Sequence, residues 1–220
     1  MPLLSQEAAG VACPQCKEPC DAFGDHLVSC RRNHLLARHT GVQDALLRIL
    51  EGARIPCLRE QGVGEEGNER PTDILLLHWQ RGTDAAVDIT VTHAAQPGEY
   101  TLTEEKMARH VKGAEELKVR KNGPLCDRLG WSCVPFGMDT WGTLGPSARS
   151  CWQQVVKRAT AALEGWERAQ KVAELHQNLA TALADGIGRQ LGVVIHVLLQ
   201  WALPPAPSPT PHARFRAAAT

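Results

Sequence analysis

Apolar positions along the chain change period several times, and each change marks an element. Over residues 33 to 53, Leu35, Val42, Ala45, Leu46, Ile49 and Leu50 fall at helical spacing. Gly52 stands where a C-terminal cap would stop that helix. A short extended piece, 55 to 60, and a Gly/Glu-rich turn, 62 to 69, lead to residues 71 to 79, whose run Ile74-Leu75-Leu76-Leu77 predicts a buried strand. Gly82 and Thr83 make the turn into 85 to 93, where Val87, Ile89 and Val91 alternate with Asp88, Thr90 and Thr92, so the two strands form a hairpin with one polar face. Residues 103 to 121 are charged with a helical pattern, and Glu104 and Glu105 in the first turn favour an N-terminus at Thr103. A further strand is expected at 131 to 136, a Gly-rich loop at 137 to 145, and two helices at 147 to 170 and 171 to 203. Gly186, Gly188 and Gly192 weaken the second of these.

Residues 11 to 30 lack such a period and are rich in Cys, Gly and Pro, as expected of a loop folded around a metal. Four units follow: a zinc-binding module over 1 to 32, a core over 33 to 146, a helical extension over 147 to 203, and a Pro-rich tail over 204 to 220 expected to be disordered. The core reads helix, three strands, helix, strand, an αβββαβ order that gives an α/β unit with a mixed sheet. No internal repeat is present.

A hydrophobic share of 43% in 220 residues can fill a real α/β core. The 24 Lys+Arg and 24 Asp+Glu cancel, so nucleic-acid contact would have to come from local basic patches. The N-terminus has neither the basic nor the apolar region of a secretory signal, and the apolar run 191 to 203 is too short to span a bilayer; an intracellular, reducing location is expected. No Gly-Lys-Ser/Thr phosphate loop and no Gly-x-Ser-x-Gly elbow occurs.

Four of the eight cysteines crowd into residues 13 to 30, which fits metal binding better than disulfides. Cys13 and Cys16 form a C-x2-C pair, and His26 and Cys30 an H-x3-C pair, spacings that close a tetrahedron around a structural zinc ion. Cys20 is a fifth candidate that could replace one of them.

A metal-dependent phosphodiesterase needs carboxylates on adjacent rigid strands to hold a hard divalent cation against the scissile phosphate. Asp73, opening one strand, and Asp88, in the middle of the next, meet that need, with Glu60 as a possible third acid. Each has a plainer reading: a turn residue after Pro71 for Asp73, a solvated sheet face for Asp88, a surface position for Glu60. The site also needs a cation. In the familiar arrangement a Lys stands two residues after the second acid, but that position is Thr90, so the role passes to Lys106 on the following helix, with Arg109 and Lys112 at i+3 and i+6. His93 and Asp139 are read as structural or turn residues.

These residues resemble the restriction-like endonuclease domain at the C-terminus of site-specific non-long-terminal-repeat retrotransposon proteins. The resemblance spans about 13 to 145. It rests on C-x2-C and H-x3-C, Arg38-His39, Arg70-Pro71-Thr72-Asp73, and Val87-Asp88-Ile89-Thr90-Val91 with Lys106 downstream. It implies a PD-(D/E)xK-like fold and a nuclease that nicks double-stranded DNA. In such a nuclease Asp73 and Asp88 hold Mg²⁺ or Mn²⁺ and Lys106 steadies water or phosphate. Arg31, Arg32 and Arg38 help hold the duplex, and a nuclear location and contact with the element's own RNA are also implied. Thr72 separates Pro71 from Asp73, where the tightest form of the motif has them adjacent. The absence of a reverse-transcriptase segment makes the chain look like a detached C-terminal piece. Two rivals stand beside cleavage: a nucleic-acid-binding module that does not cut, and an inert or adaptor protein acting through its C-terminal helices.

Overall fold

The computed structural model describes residues 10–33, 35–60, 62, 72–95 and 103–202, with side chains described as far as Gly192. Arg70, Pro71, the Gly/Glu-rich turn at 63 to 69 and the tail at 204 to 220 lie outside these residues. The protein is a mixed α/β structure with a Cys/His module at its N-terminal end. Its elements are α1 (Asp25–Ser29), α2 (Leu35–Gly52), β1 (Cys57–Arg59), β2 (Ile74–Gln80), β3 (Thr83–Thr92), α3 (Glu104–Leu129), β4 (Ser132–Asp139), α4 (Pro146–Ala159) and α5 (Gly165–Ala202). From α2 to β4 the order is the expected helix, three strands, helix, strand.

The four strands make one sheet in the order β1-β2-β3-β4. β1 to β2 and β2 to β3 are antiparallel, and β3 to β4 is parallel, joined by α3 as the crossover. Gln80 pairs with Thr83, and Arg81 and Gly82 between them both have φ in the left-handed region, at 50° and 82°. That two-residue turn matches the right-handed strand twist, and an irregularity between Leu76 and Gln80, where His78 takes φ 51°, shifts the pairing to the register of Ile74 with Val87.

Alternation along the strands assigns the two faces. Val87 and Ile89 of β3 and Phe136 and Met138 of β4 join Leu46, Ile49, Trp152, Val155 and Leu179 in the main core beneath α2, α4 and α5. Asp88, Pro135 and Gly137 face the other way, where α3 covers them.

Three boundaries differ from the sequence reading. α3 continues past Lys121 to Leu129, carrying Pro124 inside it, because Asn122 and Cys126 are buried against the sheet. Packing there outweighs the missing proline N–H. β4 runs to Asp139 through residues expected to be loop, since Gly137 is a close-approach position: an added Cβ would lie 2.6 Å from Glu115 Cγ. The two C-terminal helices break at 160 to 164, earlier than expected, where Thr160 is wholly buried and bonded to Val156 O and Gly165 takes φ 50°. Among the described residues, no helix is long and apolar enough to cross a membrane.

Candidate functional site

The hairpin register brings the acidic pair together. β2 opens at Ile74, which pairs with Val87, so Asp73, immediately before the strand, stands beside Asp88 at the end of the ladder. Asp73 N–H donates to Val87 O at 3.0 Å, and Ile89 N–H donates to Asp73 Oδ2 at 2.6 Å, which ties the side chain back onto β3. Gln43 of α2 donates to Asp73 O at 3.0 Å. His39 of the same helix puts Nε2 3.3 Å from Asp73 Oδ1.

Asp88 is buried, and both of its oxygens are engaged by α3. Lys118 Nζ donates to Oδ1 at 2.7 Å and Asn122 Nδ2 to Oδ2 at 2.6 Å. The two donors are i, i+4 neighbours on one helical face, and Glu115, three residues before Lys118, shares it. Glu115 anchors that face. Its carboxylate accepts from the amides of Gly137, Ser147 and Ala148, joining α3 to β4 and to the first turn of α4.

The two carboxylates titrate in opposite directions. Burial opposes the charge on Asp73, but His39, the Ile89 amide and Lys118 outweigh it and hold this group below the usual carboxylate range. Burial pushes Asp88 up, Lys118 partly offsets that, and the facing Asp73 carboxylate adds to the rise. A half-buried pair of facing acids with one lysine is short of positive charge. Its oxygen donors match what a hard divalent cation takes.

Lys118, not Lys106, is the lysine at Asp88. Lys106 lies in the first turn of α3, where its N–H bonds the capping Thr103 hydroxyl, about 18 Å along the helix from Lys118 at 1.5 Å rise per residue. Arg109 and Lys112 are largely exposed and pair loosely with Glu105 and Glu116. Glu60 is half exposed, 3.9 Å from Arg59 Nε, and does not join Asp73 and Asp88 in a three-acid cluster. Lys118 and Asn122 escaped the sequence reading because that helix was read for its charges alone; the i, i+3, i+7 row of Glu115, Lys118 and Asn122 was the available signal.

At the N-terminal end, Cys13, Cys16, His26 and Cys30 offer ligand atoms that all lie within 4.8 Å of one another. Cys13 Sγ and Cys30 Sγ are 3.9 Å apart, close to the ~3.8 Å of two thiolates on one tetrahedral zinc. Cys16 Sγ lies 3.1 Å from His26 Nε2. These four residues could bind zinc. Cys20, though buried beside them, is outside the set. The first pair sits on a turn closed by Lys17 N–H to Cys13 O at 2.8 Å, flanked by the Ala12–Pro19 bridge. The second pair sits at α1, whose leading amides are gathered by Asp21: Phe23 and Asp25 on one oxygen, His26 on the other. Burial raises Cys13, but the amides of Cys16 and Gln15 and the neighbouring His26 and Cys16 side chains bring its thiol down to about 7. All eight cysteines are free thiols.

Arg38 has a different place from the one expected of a DNA contact. It is buried, with its guanidinium donating to Val28 O of α1 at 2.8 Å and to Val91 O of β3 at 3.0 Å. It therefore clamps the Cys/His module to the sheet. His93 adds a second tie, with Nε2 3.0 Å from Asp25 Oδ1, Nδ1 2.7 Å from Thr140 Oγ1 and its ring stacked on Trp141. Asp139 accepts from the amides of Trp141 and Thr143, the turn role its sequence suggests. Arg31 and Arg32 are exposed beyond α1.

No protein-family model matches the chain, and no curated protein matches it.

Proposed function

We propose that the chain is a metal-dependent DNA endonuclease of the restriction-like kind, nicking double-stranded DNA by phosphodiester hydrolysis. The observation that carries this reading is that Asp73, at the start of β2 and tied to Val87 and Ile89 of β3, stands beside Asp88, with Lys118 bonded to Asp88. Carboxylates on adjacent strands and one lysine are the minimum such chemistry requires.

Asp73 and Asp88 would hold Mg²⁺ or Mn²⁺, which when bound polarises the scissile phosphate and lowers the pKa of an attacking water. The protein's own groups do the rest. Ile89 N–H and His39 orient Asp73, and Asn122 fixes Asp88, so neither carboxylate reorganises when phosphate arrives. Lys118 carries the positive charge nearest the reacting phosphate and stabilises negative charge growing there. Glu115 holds the helix that delivers it. A zinc ion held by Cys13, Cys16, His26 and Cys30 would be structural, since four protein ligands leave no open position for water. Arg31, Arg32, Arg109 and Lys112 serve as phosphate contacts that position the duplex without reading sequence.

A second reading follows from the engagement of both Asp88 oxygens by Lys118 and Asn122: a nucleic-acid-binding module that no longer cuts. Supercoiled plasmid with Mg²⁺ separates the two. Nicking that stops with EDTA and in Asp88→Ala supports the nuclease; salt-sensitive binding without nicking supports the binder. Cleavage unchanged in Asp88→Ala removes the site.

A further inference from the structure

Behind the sheet, on the side away from Asp88, α4 and α5 enclose an open cavity of about 590 Å³. Its charged and titratable lining is Arg149 and Lys157 from α4 and Arg168 and His176 from α5, with no Asp or Glu. In a chain whose charges otherwise cancel, that is a local excess of positive charge. Each pair is spaced i, i+8, so each helix turns one face of cations into the same groove. All four residues are exposed, and none forms an ion pair among the described residues.

The histidine is held in one tautomer. Trp152, buried beneath the groove, donates its indole N–H to His176 Nδ1 at 3.2 Å, with the rings edge-on at 5.5 Å. Nδ1 must then be the acceptor, so the neutral ring carries its proton on Nε2. The free nitrogen is thus a donor, as an anionic oxygen requires. Arg149 reaches back to Leu144 O, 3.4 Å away, in the loop after β4. Two residues before the lining residue Thr143, Trp141 stands 52% exposed with its indole stacked on His93 at 4.7 Å.

We propose that this groove binds the phosphodiester backbone of single-stranded nucleic acid, with Arg149, Lys157, Arg168 and His176 on the phosphates and Trp141 as a stacking platform for a base. Basic grooves flanked by an exposed aromatic ring suit single strands, whose bases are free to stack. The choice of nucleic acid over a small phosphorylated ligand rests on the proposed nuclease function. The groove itself does not, because it lies on the opposite face from the acidic pair.

The test is fluorescence anisotropy with labelled 20-nucleotide single-stranded DNA and RNA, run without divalent metal so that nothing is cut. The variants are the exposed pair Lys157→Glu/Arg168→Glu and, separately, Trp141→Ala. The double variant should weaken single-strand binding at least tenfold and reduce the slope of log K against log salt by about 1.4 for two lost phosphate contacts. Trp141→Ala should weaken binding by about fivefold or more, at the low end of a stacked base. Plasmid nicking by the double variant reads the other site: retained nicking with lost single-strand binding separates the two, and single-strand binding without nicking leaves this proposal standing while the nuclease reading fails. Wild-type-like binding by the double variant overturns the proposal. So does a groove that takes tripolyphosphate in wild type but not in the double variant, while single-strand affinity is the same in both.

Discussion

Lys118 reaches Asp88 across 2.7 Å from the middle of α3, while Lys106, twelve residues earlier on the same helix, stands about 18 Å away along its axis. The site's cation is therefore chosen by where α3 lies on the sheet. Glu115 sets that position by binding the amides of β4 and α4. A lysine moved off the strand finds its place through tertiary packing.

The opposed titration of the pair has a measurable sign. Asp88 is raised, so the fold holds its proton more tightly than the unfolded chain does, and ionising it costs stability that is full above its folded pKa and absent below 3.8. Asp73 is depressed and contributes stability above 3.8 that is lost as pH falls through its folded value. Asp88→Asn should therefore be at least as stable as wild type at pH 7, with the advantage shrinking toward pH 4. Urea unfolding at both values checks this; an equal loss at both would contradict it. Mg²⁺ at tenfold its dissociation constant should raise wild-type stability by about 1.4 kcal/mol and leave the variant unchanged.

Zinc content tests the N-terminal cluster. Purified protein should carry one zinc per chain, Cys30→Ser and His26→Ala should lose it, and Cys20→Ala should keep it. Metal retained in Cys30→Ser but lost in Cys20→Ala would reverse the ligand assignment.

Arg38 and Gly186 mark one contact between α2 and α5. A Cβ at Gly186 would come 2.5 Å from Arg38 Cα, so Gly186→Ala should cost about 2 kcal/mol despite the better helix propensity of alanine. Arg38→Ala removes the guanidinium from Val91 O and from Val28 O, which keeps only its bond from Gln190 Nε2, and should cost about 2 kcal/mol. Arg38→Lys should not rescue it, because an ammonium cannot span both carbonyls. Thermal unfolding reads all three; a stabilised Gly186→Ala would show that the helices are free to separate.

Much of this was legible from pattern alone. The period-2 alternation of Val87 to Val91, the run at Ile74 and the Thr103 cap each encode local structure, whereas the irregularity between Leu76 and Gln80 that sets the Ile74–Val87 register, and so brings Asp73 beside Asp88, left no mark in the pattern. The C-x2-C and H-x3-C spacings likewise specify a local tetrahedron. What escaped was long-range. Arg38 looks like any basic residue near a Cys/His cluster until α1 and β3 close over it. Gly137 looks like loop until Glu115 fills the space above it. Lys118 differs from the other cations of α3 only in the face it occupies, and that face is defined by the sheet.

The central claim, a metal-dependent cutting centre built from Asp73, Asp88 and Lys118, is tested most directly by plasmid nicking in Mg²⁺ with wild type, Lys118→Met and Lys106→Met side by side. The account predicts cleavage by wild type, a loss of about 100-fold or more in Lys118→Met, as for removal of a preorganised charge at the reacting centre, and Lys106→Met within about twofold of wild type. Full activity in Lys118→Met with loss in Lys106→Met would contradict it.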